Sequence, residues 1–218
     1  MSNTDSFIDE VSEEVRRDQL FATLKRWGWI GIVVILVAVG GASYNEWRKA
    51  QARSDAQAFG DSLLAAIDTQ DMASAADAAT AVEATGPGQE AVANHLAAAA
   101  ALAADAPEQA LEALSNVQQN DEIAPIYRQL AAFKSALAAT PDTPADQRIA
   151  AFDAISGPFR ALAQEQKALV MIASGDHDGA LATLRSLVEL AEATPGLRRR
   201  TAELIVALGA DIGDSDAQ

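Results

Sequence analysis

The sequence predicts an all-α protein in which a single N-terminal transmembrane helix precedes an array of helical hairpins. Three observations carry this. Alanine fills 50 of the 218 positions; it loses no side-chain entropy in a helix, whereas sheets draw on β-branched and aromatic residues. A run of nineteen uncharged residues lies between Arg26 and Glu46. Beyond it, apolar stretches of helical length alternate with turn signals, and the pattern returns every 35 residues.

Composition excludes several functions at once. Half the residues are hydrophobic, which is enough for a core, and the formal charge is −15. A phosphate backbone needs a basic face, so nucleic acid is not an expected partner. With no cysteine there is no disulfide, thiolate nucleophile or Cys-based zinc site.

The uncharged run, Trp27 to Asn45, reaches roughly 28 Å at about 1.5 Å per residue, close to the ~30 Å hydrocarbon core of a bilayer. Trp27 and Trp29 stand at one end, Tyr44 and Trp47 at the other, where amphipathic rings suit the two headgroup layers. Gly40-Gly41-Ala42 offers a small-residue cleavage pattern. The preceding segment, with Asp5, Asp9, Glu10, Glu13, Glu14 and Asp18, is too long and too acidic for a signal-peptide n-region. An uncleaved anchor over 27–47 is therefore expected. Four basic residues before the span and three after it leave the orientation open. Gly31, Ala38, Gly41 and Ala42 share one face, which allows close approach of a second membrane helix; small residues are also simply common in such helices.

In the first 26 residues, Phe7, Ile8, Val11 and Val15 form a helical stripe among acids and Arg16-Arg17. A short amphipathic helix, lying on the membrane or against a partner, and a partly ordered solvated tail both fit. Residues 48–209 form the expected soluble domain, and 210–218 an acidic disordered tail.

Within that domain, turn signals fall at Gln70-Asp71, Gly86-Pro87-Gly88, Asp105-Ala106-Pro107, Thr140-Pro141, Gly157-Pro158, Gly175-Asp176 and Pro195-Gly196. At a spacing of 35 stand Ala75, Ala110, Ala145 and Ala180, followed by Ala79, Leu114, Ile149 and Leu184, then by Val82, Val117, Phe152 and Leu187. The preceding helices contribute Leu63, Ala98, Phe133 and Ala168, then Ala66, Ala101, Ala136 and Met171. The stretch ALVMIASGDHDGALATLRSL is the clearest unit and resembles the tetratricopeptide repeat, a helix–turn–helix of about 34 residues. The resemblance is to a degenerate array: the usual early Trp is missing, and Phe133 replaces a small residue. Such units stack because none buries its apolar face alone.

In tetratricopeptide arrays the first helix of each hairpin lines the inner surface. Carried over, that frame assigns Val92, His95, Ala99 and Leu102 to a partner groove. The next unit adds Tyr127, Leu130, Lys134 and Leu137, and the last adds Leu162, Glu165, Leu169 and Ile172. This surface fits a helix or an extended segment. The final helix, Leu197 to Leu208, fits equally well as its cover, since terminal repeats need a cap.

The whole arrangement also resembles a known family. The tail SFIDEVSEEVRRDQLFATLKRWGW, one span, and WRKAQARSDAQAF running into degenerate repeats is similar to the YfgM-like ancillary subunits of the Sec translocon. That resemblance implies an inner-membrane protein with a cytoplasmic N-terminus and a periplasmic repeat domain. It also implies association with the translocon and with a membrane-anchored periplasmic folding factor of the prolyl-isomerase type, within a chaperone network. A cell-envelope scaffold for division or wall-assembly proteins is the alternative.

No catalytic constellation accompanies these features. His95 and His177 have no second imidazole at ligand spacing, and Asp176 and Asp178 sit at a repeat turn, where Asp serves conformation. Phosphate-loop, dinucleotide and nucleophile-elbow motifs are absent from the sequence. No catalysis, cofactor, metal or small-molecule substrate is expected. Charge is uneven: 12 acids and no Lys or Arg lie between Arg53 and Arg128, and Arg198-Arg199-Arg200 form a later basic cluster. Solvated faces explain both; steering of a basic partner, or repulsion of anionic lipid, is the functional reading of the acidic half.

Overall fold

A computed structural model of the chain describes the backbone of residues 3–69, 71–140 and 142–211, with side chains described from Trp29 onward. The stripe of Phe7, Ile8, Val11 and Val15, the Trp27 ring, the turn residues Gln70 and Pro141, and residues 212–218 of the acidic tail lie outside that description. Among the described residues there is no strand. The helices are α1 (Asn3–Ile67), α2 (Met72–Ala81), α3 (Pro87–Ala103), α4 (Pro107–Gln119), α5 (Pro125–Leu137), α6 (Ala145–Asp153), α7 (Arg160–Ser174), α8 (His177–Glu189) and α9 (Pro195–Ala207). A 3₁₀ turn at Gly157–Phe159 precedes α7.

The chain divides into two units, 1–58 and 59–218. The first holds one helix long and apolar enough to cross a membrane, near the N-terminus. Ile35, Leu36 and Val37 on it are 63–69% exposed. At Gly31 and Gly41, on the small-residue face, an added methyl group would meet no described atom within 4 Å apart from the helix's own nearby backbone. The second unit begins at Phe59, inside α1, which runs without a break to Ile67. Residues 46–67 contain no proline and one glycine, Gly60, amid good helix formers.

In the second unit each helix from α2 to α9 packs chiefly on its sequence neighbours. Local chemistry sets most boundaries. Proline opens α3, α4, α5 and α9, where its missing N–H costs nothing. Side chains cap three helices: Asp71 accepts from the Ala73 N–H, Asp176 from the Gly179 N–H, and Thr194 from the Leu197 N–H. Three helices close in the same way. Asp105, Gly175 and Gly209 take φ of 57°, 86° and 79°. In each case the next residue's N–H reaches back five residues, from Ala106 to Ala101, Asp176 to Met171 and Ala210 to Ile205. This left-handed closure satisfies carbonyls that a helix end leaves orphaned. The turn between α4 and α5 at residues 120–124 was not anticipated, although Asn120-Asp121 and Pro125 mark it in the sequence and the Asn120 side chain accepts from the Glu122 N–H.

The 35-residue columns are largely core. Ala75, Ala110 and Ala180 are fully buried, as are Ala79, Leu114 and Leu184. The third unit departs. Ala145 and Ile149 are only partly buried, and α6 packs mainly on α7, touching α5 lightly. At the position of Leu63, Ala98 and Ala168 this unit has Phe133. Its ring stacks on Phe159 at 5.9 Å and 11°, and leans on Phe152 at 6.5 Å and 60°. The three phenyl groups thus meet where α5, α6 and the 3₁₀ turn come together. The core falls into four apolar clusters: one from Ala66 to Ala131, one around Ala136, Phe152 and Val170, one around Ala161, Leu187 and Leu197, and one around Ala168, Leu184 and Ile205.

Candidate partner-binding surface

The positions assigned to a groove come from α3, α5 and α7, spaced three and four residues apart so that each set occupies one helix face. The structure sorts them by burial. Val92, Ala99, Leu102, Leu137 and Leu169 are exposed; Tyr127, Leu130, Lys134, Leu162 and Ile172 are half-buried. His95 and Glu165 are buried, at 8% and 6% exposure, so these two polar groups hold helices together instead of presenting themselves to solvent.

His95 joins α3 to α5. Its Nε2 lies 3.2 Å from the Tyr127 carbonyl oxygen, and its ring is 6.5 Å from the Tyr127 ring. With Nε2–H donating, Nδ1 is a buried acceptor without a partner among the described residues. Burial first, and then the positive charge of Lys134, hold the imidazole below its ordinary value of 6.5, against the opposing hydrogen bond to Tyr127. The sign of the linkage follows. Because the folded state binds this proton less readily, stability is complete above the ordinary pKa and is lost as pH falls towards the lowered one. Between about pH 7.5 and about pH 5.5 the melting temperature should drop more for the wild type than for His95→Gln. Parallel pH profiles of the two would refute this assignment.

Glu165 joins α7 to α9. Arg200 donates Nε–H and Nη2–H to its two carboxylate oxygens at 2.8 and 2.9 Å, a paired geometry that leaves no acceptor idle. The neighbouring arginines are also used: Arg198 donates to the carbonyls of Leu190 and Ala191, and Arg199 lies 3.7 Å from Glu203. The basic cluster thus seats the last helix. That helix covers Glu165 without sealing the surface. Leu169, Arg200, Leu204 and Ala207 border an open depression of about 560 Å³, and Leu169 remains 38% exposed.

Two residues of the same kind were missed. Leu64 and Ile67, at the end of α1, are 63% and 36% exposed. They stand 35 residues before Ala99 and Leu102, so extending the frame back by one unit finds them. In the 59–211 segment nine large apolar side chains are exposed, and six fall on this frame: Leu64, Ile67, Val92, Leu102, Leu137 and Leu169. Scattered exposed apolar residues need no explanation, but recurrence in register does.

Comparison with known protein families, curated sequences and solved structures returns no match for this chain.

Proposed function

We propose that this protein is a membrane-anchored, non-catalytic docking module whose tetratricopeptide-like hairpins present an apolar surface to protein partners. The observation that carries the reading is the register just described: exposed leucine, isoleucine and valine side chains return every 35 residues or so on α1, α3, α5 and α7. In water such a row is costly to maintain unless something covers it for part of the time. The 35-residue frame, the buried alanine columns and the shared left-handed helix ends support a hairpin array. The long apolar helix supports a single-pass anchor, which raises the local concentration of any partner held at the same membrane.

The more specific reading is an ancillary translocon subunit of the bacterial inner membrane. Its N-terminus is cytoplasmic and its repeat domain periplasmic, linking protein export to periplasmic folding factors. It rests on the resemblance of the tail, span and following segment to YfgM-like proteins. The test is fractionation followed by copurification. The full-length chain should stay with membranes after a carbonate wash and bring translocon subunits with it in mild detergent. A soluble form beginning near Ser43 would remove the anchor. Enrichment of wall-assembly proteins in place of translocon subunits would overturn the translocon assignment while leaving a docking role.

A further inference from the structure

The middle of the exposed row carries a charge with no ion-pair partner among the described residues. Lys134, on α5, is half-buried, and among the described residues no carboxylate forms an ion pair with it. Other basic side chains of this domain find one: Arg128 with Asp121, Lys167 with Asp153, Arg200 with Glu165. Among the described residues Arg148, Arg160, Arg185 and Arg198 form none, but they lie on α6, α7, α8 and α9, off the row. Lys134 alone of these cations sits on it, three residues before Leu137 and one repeat after Ala99. Its charge is felt at His95 on α3, the helix that also presents Val92 and Leu102.

The deficit is notable in a protein with 31 acidic residues. Burial presses the Lys134 amine below its ordinary value, so its ammonium form is held at a cost. His95 offers no relief: its free nitrogen is buried, and its neutral ring carries no negative charge. An incoming carboxylate would restore the missing partner, and apolar side chains beside it would cover Leu102 and Leu137.

We infer that the centre of this surface binds an apolar peptide segment bearing a carboxylate, with Lys134 as the counter-ion. The inference rests on the docking reading and names the chemistry of what docks. Charge complementarity selects this occupant: a basic segment would meet Lys134 with like charge, and an uncharged one would leave the ammonium unpaired.

The test uses the full-length chain in mild-detergent micelles and labelled synthetic amphipathic peptides with leucines three and four residues apart. One peptide has a central Glu and an amidated end. The second has Gln in its place, and the third has Gln and a free C-terminal carboxylate. Anisotropy titration should show the Glu peptide binding about five- to tenfold more tightly than its amidated Gln counterpart. Lys134→Gln should abolish that preference, and Lys134→Arg should keep most of it. A gain for the third peptide that Lys134→Gln removes also supports the proposal and points to a chain terminus as the source. Equal binding of the Glu and amidated Gln peptides, a preference that survives Lys134→Gln, or failure of every peptide to bind would overturn it. So would concentration-dependent self-association relieved by Leu137→Gln, since a second copy would then be the occupant.

A double variant, Leu102→Gln with Leu137→Gln, separates the two levels. If it retains helical content and melting temperature yet loses all peptides, the surface is the docking face. If it binds them as before, that face is misassigned, and the failure is of the docking reading. If the face holds but Lys134→Gln changes nothing, the counter-ion alone is wrong.

Discussion

Phe152→Ala should lower the unfolding free energy of the repeat domain by about 3–5 kcal/mol, the range for removing a buried aromatic side chain. Phe152 is 2% exposed and packs with Phe133, Ile155, Val170 and the ring of Phe159 nearby. Besides this ring, α6 is held chiefly by α7, where Lys167 pairs with Asp153. Its contacts to α5 are few, and Ala145 and Ile149 are incompletely covered. Loss of this ring would leave a cavity where the core already divides. Denaturant titration of the full-length chain measures the effect. A cost below about 1 kcal/mol would mean that neighbouring side chains collapse into the space, and that the aromatic group is not what fixes the third hairpin.

The second large effect concerns alanines that look equivalent in the sequence. Ala110→Leu and Ala180→Leu should each cost about 1–3 kcal/mol by overpacking, because both positions are fully enclosed between neighbouring helices. Ala145→Leu, in the same column, should cost clearly less, since α6 touches α5 only lightly and Ala145 is only half-buried. Leu137→Gln, on the exposed row, should fall within about 0.5 kcal/mol of wild type. Four melting curves therefore separate three environments. Equal costs at Ala110, Ala145 and Ala180 would show the third hairpin to be as closely packed as its neighbours. A Leu137 variant as unstable as the Ala180 variant would move Leu137 into the core and remove it from any docking surface.

The helices themselves were legible in the sequence, and for local reasons. Alanine content, proline at helix starts, and Asp or Gly at helix ends act over a few residues, so a linear reading finds α2, α3, α4, α8 and α9 and most of their turns. The columns at Ala75, Ala110 and Ala180 were legible because a repeated packing problem leaves a repeated residue. The same frame marked the row containing Leu102, Leu137 and Leu169, and it marked Leu64 and Ile67 as soon as it was extended backwards.

Decisions made at a distance were not legible. Whether His95 and Glu165 face solvent depends on the Tyr127 carbonyl 32 residues away and on Arg200 35 residues away. Nothing in the sequence around His95 or Glu165 encodes those encounters. The run of arginines read as a solvated face or a functional patch until Glu165 and the carbonyls of Leu190 and Ala191 gave Arg200 and Arg198 a place; Arg199 stays on the exposed side, paired with Glu203 of its own helix. The third hairpin shows the limit most clearly. Phe133 was visible as an irregularity, but its consequence depended on Phe152 and Phe159 arriving beside it. Sequence by itself determined where the chain is helical, where it turns and which residues recur. Tertiary structure decided which recurring residues are enclosed and which are left open, because burial belongs to the pair of faces that meet and not to either face alone.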